Sequence, residues 1–166
     1  MRRSATAPYG GGMKQNSFRV VALDTAIAET ARRRAAEGAA DHQRSIVHAE
    51  RSAPCRHCLR WAQPGESVVL FPFPAIAAHR PYAESGPIFV HAEACPRYAT
   101  PAEFPADLRQ NRVARAYNRN DEIVAAELAG DDLEATAERL LADEAVEFLH
   151  VRSASHGCYT FKVERA

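Results

Sequence analysis

Residues 113–128 read VARAYNRNDEIVAAEL. Two β-prone runs, 113–117 and 123–128, flank Asn118-Arg119-Asn120-Asp121, whose side chains suit the backbone of a tight turn. Immediately after, Asp131-Asp132 opens a helix that sets Leu133, Ala137, Leu140 and Leu141 on one face. Residues 146–152 and 158–164 then read as a closing hairpin around the turn 153–157. The order strand, strand, helix, strand, strand predicts an α+β domain with a mostly antiparallel sheet and few helices.

The first half is less regular. Residues 18–23 (FRVVAL) suit a strand, Asp24 an N-cap, and the Ala/Arg-rich stretch up to Gly38 a covering helix with few large apolar residues. Residues 39–53 are polar and read as loop. Pro64-Gly65-Glu66 marks a turn into a strand over 67–71, and the prolines of 72–85 argue for an irregular loop. Residues 88–90 form a short strand that runs into His91, and a Pro-rich connection over 96–105 leads to the second half. Residues 1–16, with Gly10-Gly11-Gly12 and no apolar periodicity, read as a disordered tail, and Met13 is an alternative start. A single domain over 17–166 remains, without internal repeats.

Bulk composition narrows the function classes. A hydrophobic fraction of 46% and a charged fraction of 25% fit an ordinary globular protein. Lys+Arg and Asp+Glu both number 21, so no net field is available to collect nucleic acid or an anionic membrane. No run approaches the roughly 18 apolar residues of a membrane span. Arginines near the N-terminus lack a following apolar core, which argues against a secretory signal and for a cytoplasmic address. In that compartment four cysteines are thiols or metal ligands before they are disulfides.

The chemistry-bearing stretch is Pro54-Cys55-Arg56-His57-Cys58-Leu59, answered by His91-Ala92-Glu93-Ala94-Cys95. A C-x-x-C knuckle offers two thiolates to one ion, and tetrahedral zinc needs a second pair from elsewhere. Cys55, Cys58, His91 and Cys95 supply a Cys3His set. An extended 91–95 segment would separate its two ligands by about 13 Å, so the set requires a bend there. Ala92-Glu93-Ala94 favours a helical turn, which Pro96 must stop at Cys95. Arg56, Arg60 and Arg97 stand near enough in sequence to screen the net negative charge of three thiolates and Zn²⁺. The knuckle lacks a glycine after its second cysteine, where Leu59 stands. Buried structural thiols with a carbonyl-bonded His91 are the competing reading. A redox pair is disfavoured, because no buried strand precedes the motif and Pro64-Gly65 follows after barely a helical turn.

Strand alternation sorts the closing hairpin. Leu149 and Val151 face the core with Tyr159, Phe161 and Val163, and the other face carries His150, Arg152, Cys158, Thr160 and Lys162. His150, Arg152 and Cys158 are candidates for anion binding or thiolate activation, with Tyr82 and Glu84 as pocket-lining partners. A solvated face of ordinary polar residues is the plainer alternative. No G-x-S-x-G, Walker or H-E-x-x-H motif occurs.

As a set, the residues 54–59, 64–66, 81–92, Cys95, Arg97-Tyr98, Arg115-Ala116-Tyr117, His150-Val151-Arg152 and Gly157-Cys158 resemble the DUF1203 family of small bacterial proteins. The likeness spans about residues 17–166. Ser153 and Asn118 depart from the asparagine and aspartate of the family pattern, which bears more on the His150 strand than on the cysteines. The resemblance implies no activity, substrate or ligand. Three readings follow: a binding module for a small molecule or protein, braced by structural zinc; a small-molecule enzyme using His150, Arg152 and Cys158; and a structural domain acting through its oligomer.

Overall fold

The computed structural model describes residues 17–48 and 53–166. The expected tail over 1–16 and the residues 49–52 just before the knuckle lie outside that range. Strand β1 (Phe18–Val21) leads through Leu23 to helix α1 (Thr25–Ala36), whose N-cap Asp24 accepts from the Ala26 amide. Strands β2 (Gln43–Ile46), β3 (Ser67–Ile76) and β4 (Glu84–His91) form a three-stranded antiparallel sheet in order β2-β3-β4. After a 3-10 turn at Ala106–Leu108 come β5 (Arg112–Tyr117), β6 (Ile123–Ala129), helix α2 (Leu133–Leu141), β7 (Phe148–Ser153) and β8 (Tyr159–Arg165). These strands and β1 make a five-stranded antiparallel sheet in order β1-β8-β7-β5-β6. The α+β reading and the strand-strand-helix-strand-strand order of the second half both hold.

Helix α2 lies on one face of the large sheet. Asp132 caps it by accepting from the Ala135 amide, and Leu133, Ala137, Leu140 and Leu141 pack on Phe18, Val20, Ala114, Leu149, Val151 and Phe161. The small sheet covers the other face, with Tyr159 reaching Val69, Phe71, Ile88 and Val90 beneath α1. Strand β7 is therefore buried on both sides over its first five residues.

Two expectations are corrected here. The stretch read as loop over 39–53 contains β2, whose four residues are all exposed; an edge strand with no buried face carries no apolar alternation. Of the stretch read as loop over 72–85, residues 77–83 are loop, while the rest is the end of β3 and the start of β4. Proline is tolerated there because β2 ends opposite Leu70, before Pro72 and Pro74, while Pro72 stands opposite Pro87 and the two missing donors coincide.

A third correction concerns the closing hairpin. A β-bulge between the pairs Val151↔Phe161 and Arg152↔Tyr159 turns Tyr159 away from the Phe161 layer. Tyr159 instead meets His150 edge-on at 5.0 Å and Phe73 at 5.3 Å between the sheets.

Candidate metal centre

The knuckle is pinned to both sheets by its backbone. Cys55 bridges to Phe89 on β4, and the Arg56 amide donates to the Phe89 carbonyl at 2.9 Å. The Leu23 amide bonds the Arg56 carbonyl and the Tyr98 amide the His57 carbonyl, tying in the strand before α1 and the segment after Cys95. The chain closes its turn with the Leu59 amide on the Cys55 carbonyl at 3.0 Å, and Leu59 takes φ of 55°. That left-handed position is the one a knuckle glycine would occupy. Leu59 bears the strain of roughly 1–2 kcal/mol while its side chain is buried in the main core.

His91 ends β4 and Cys95 follows four residues on. The segment between them is a bend, not the helical turn expected; the Ala92 amide is engaged by the Ser67 carbonyl, and Pro96 leaves no room for a helix to continue. The bend meets the geometric demand all the same. The ligand atoms of Cys55, Cys58, His91 and Cys95 lie within 4.8 Å of one another. Cys55 Sγ is 3.9 Å from Cys95 Sγ, and Cys58 Sγ is 3.4 Å from His91 Nδ1. The four cysteines are free, and a sulfur separation of 3.9 Å is not a disulfide.

The surroundings favour deprotonated sulfur. The His91 amide donates to Cys55 Sγ at 3.4 Å. Hydrogen bonds from Cys58 and Cys95 hold the Cys55 thiol far below its ordinary range, and the same contact pushes the Cys58 thiol up. The sulfurs of Cys55 and Cys95 in turn raise His91 to about 9.

Around the ligands stand residues that the sequence did not announce. Arg32, from α1, donates through Nη2 to Cys95 Sγ at 3.5 Å and through Nε to the His91 carbonyl at 3.0 Å. Among the described residues it is the arginine that hydrogen-bonds the cluster; of the three expected to screen its charge, Arg56 and Arg60 feel the sulfurs through space while their own hydrogen bonds go elsewhere. Arg60 is engaged by both oxygens of Glu66, Arg97 by the carbonyls of Ala22 and Leu23, and Arg56 by those of Pro54 and Tyr159. His57, inside the motif, places Nδ1 3.4 Å from Cys95 Sγ and Nε2 3.0 Å from Thr25 Oγ1, and burial pulls its pKa down. Glu66 Oε2 lies 3.3 Å from His91 Nε2, though not aligned as a hydrogen bond. A carboxylate behind a ligating imidazole is the usual device for orienting it. Arg32 is beyond the reach of sequence spacing; Glu66, in its Pro-Gly-Glu turn, carried a turn signal only.

The His150 set is not assembled. His150 is boxed by Tyr117, Phe148 and Tyr159 at ring distances of 4.9–5.1 Å, and burial pushes its pKa down to about 3. Arg152 is buried and gripped by Glu84 through Nη1 at 2.5 Å and Nη2 at 2.6 Å. Cys158 lies elsewhere, donating to the His156 carbonyl at 3.7 Å. No hydrogen bond joins His150 to Cys158, and the two line different cavities. The face expected to be solvated is interior, because the small sheet covers it. Tyr82 is exposed, and Glu84 is committed to Arg152 and Arg115.

Comparison with known families decides the kinship. The family model described as a protein of unknown function, DUF1203, matches residues 52–165. The chain belongs to the DUF1203 family. All four cluster residues, and Glu66, fall within the matched span, whereas Arg32 lies before it. No curated protein and no solved structure matches the chain. Among the described residues no helix is long and apolar enough to cross a membrane.

Proposed function

We propose that this DUF1203 protein is a binding domain braced by one structural zinc ion held by Cys55, Cys58, His91 and Cys95. The observation that carries the reading is the mutual spacing of the ligand atoms. Zn–S bonds of about 2.3 Å and a Zn–N bond of about 2.0 Å put tetrahedral edges near 3.8 Å between sulfurs and near 3.5 Å between sulfur and nitrogen. The separations of 3.9 Å and 3.4 Å match those edges. Three soft thiolates and an imidazole select zinc over magnesium or calcium. Four protein donors leave no open coordination position, so the ion would cross-link the chain and perform no chemistry on a substrate. It would join the knuckle, the end of β4 and the segment that carries Arg97 back to β1. A cavity of about 290 Å³ lined by Arg60, Glu66, His91 and Cys95 offers the entry path.

Native mass spectrometry of protein purified under reducing, chelator-free conditions tests this. One zinc per chain is expected, lost together with the fold on acid denaturation. Cys55→Ser and Cys95→Ser should each abolish stoichiometric binding and lower the melting temperature. Protein that is folded, reduced and metal-free, and that gives no tetrahedral thiolate spectrum when titrated with Co²⁺, would overturn the assignment.

A further inference from the structure

On the side of the knuckle away from Cys55, a cavity of about 240 Å³ opens between the two sheets. Arg56 and Arg112 both line it, and they are only 3% and 5% exposed. Arg56 donates through Nε to the Tyr159 carbonyl at 2.8 Å and through Nη1 to the Pro54 carbonyl at 2.5 Å. Arg112 donates through Nε to the Leu108 carbonyl at 2.8 Å. Among the described residues neither guanidinium meets a carboxylate, and no acidic side chain lines the cavity.

Arg152 provides an internal contrast. It is buried on β7, the strand paired with the β5 strand that Arg112 opens, and Glu84 neutralises it with two hydrogen bonds. A buried guanidinium without a carboxylate partner is expensive, and a fold that supplies one for Arg152 leaves, among the described residues, two without one facing a single space. Among the described residues the Nη nitrogens of Arg112 and Nη2 of Arg56 meet no hydrogen-bond acceptor, yet none of them is a sealed, unpartnered atom of the interior. They reach accessible surface, and the cavity is the surface these side chains line. Ser153 and Thr160 add hydroxyls to the polar side. The opposite wall is apolar, formed by Trp61, Leu70 and Phe89, with the Trp61 ring fixed by its Nε1 donating to the Asp107 carbonyl at 2.8 Å.

We infer that this cleft binds a small organic oxyanion, a carboxylate or phosphate head on a flat apolar body, with Arg56 and Arg112 on the head and Trp61 and Phe89 on the body. The space lies below the roughly 300–1,000 Å³ of drug-sized sites, which limits the occupant to a small metabolite. Guanidinium forks suit both heads, and hydroxyls complete the hydrogen bonding of either. Carbonyls of the protein hold both arginines, and none of the four clustered residues lines the cavity.

Trp61 is the single tryptophan of the chain, so its fluorescence reads the cavity directly. Phenylacetate, phenyl phosphate, inorganic phosphate and the neutral phenylacetamide are titrated into the full chain. A saturable change with phenylacetate or phenyl phosphate, at least tenfold stronger than with phenylacetamide, is expected; the stronger of the two identifies the head group. Arg112→Gln should weaken that binding at least tenfold with zinc content unchanged, which separates this site from the metal reading. Ser153→Asp, which deletes no buried arginine, should both raise the melting temperature and abolish binding by supplying the missing carboxylate. Cys158 lines the same cavity, and a bound anion should slow its alkylation. Equal response to acid and amide, a saturable response to none of the anions, or unaltered binding by folded Ser153→Asp would each overturn the inference.

Discussion

His150 allows a quantitative test of the closed interface between the sheets. Its ring is surrounded by Tyr117, Phe148 and Tyr159, and its Nδ1 is buried without a partner among the described residues. Desolvation first, then the charges of Arg152, Lys162 and Arg115, push its pKa from 6.5 down to about 3. An unfolded chain takes up a proton at this residue as pH falls through 6.5, while the folded one refuses it until about 3. Proton uptake therefore favours unfolding. The stability present above pH 6.5 is lost progressively down to about pH 3. At pH about 5 the unfolded imidazole is already some 1.5 pH units below its pKa and the folded one is still neutral. At about 1.4 kcal/mol per unit, the loss from this residue is about 2 kcal/mol. For a chain of this length that is roughly 4–8 °C in melting temperature.

The assay is urea unfolding at about pH 7.5 and about pH 5 for the wild type and His150→Gln. The glutamine variant starts from a lower baseline, because an amide in an aromatic box is poorly served. Its loss between the two pH values should be smaller than that of the wild type by about 2 kcal/mol. Other titrating groups, the cysteine cluster included, cancel in this comparison when they do not touch position 150. Equal losses in the two proteins would refute the reasoning and mean that His150 is wet enough to take its proton in the fold.

Glu84→Gln should cost about 2–3 kcal/mol in urea unfolding, below the 3–5 of a fully buried pair because Glu84 itself is 33% exposed, and it leaves Arg152 without a counter-charge. At Leu59 the usual ranking of alanine over glycine should vanish or invert. Both variants lose the buried side chain, about 2–5 kcal/mol, but glycine also relieves the left-handed backbone, so Leu59→Gly should melt no lower than Leu59→Ala. Glu66→Gln should weaken zinc binding by about 10–100-fold in competition with a chromogenic chelator, with stoichiometry intact, if the carboxylate orients His91 as its 3.3 Å approach indicates.

How much of this was readable in advance depends on where each segment's partners lie. The hairpin of β5 and β6, helix α2 and the closing pair β7 and β8 were legible because most of their apolar residues alternate onto one layer, the core under α2, with Tyr117, Phe148 and Tyr159 facing the other way. Strand β2 was illegible for the opposite reason, having no buried face. The prolines of β3 disguised a strand, because their tolerance depends on where β2 stops. The clustering of Cys55, Cys58, His91 and Cys95 could be picked out by spacing, since a knuckle and a tight bend are local constraints. The parity of the closing hairpin correctly paired His150 with Arg152 and missed both the bulge that turns Tyr159 and the sheet that covers that face. Glu84, 68 residues from Arg152, is what makes the burial of that arginine tolerable, and no local pattern announces such a partner.

The knuckle connects the two proposed sites. Cys55 directs its sulfur into the cluster while the next residue, Arg56, extends the other way into the cavity, and the pair is held by one backbone contact with Phe89. Phe89 itself lines the cavity, two residues before the cluster residue His91 on the same strand. A zinc ion there would fix the rotation of this short segment and so the aim of Arg56, although it touches no ligand. Any such coupling must be reciprocal: an anion that holds Arg56 in place also tightens the hold on the metal. At a fixed chelator concentration, less zinc should therefore be lost at equilibrium with saturating phenylacetate or phenyl phosphate than with phenylacetamide. If the two sites are independent, Arg112→Gln and the wild type will retain the same share of zinc whether or not the anion is present.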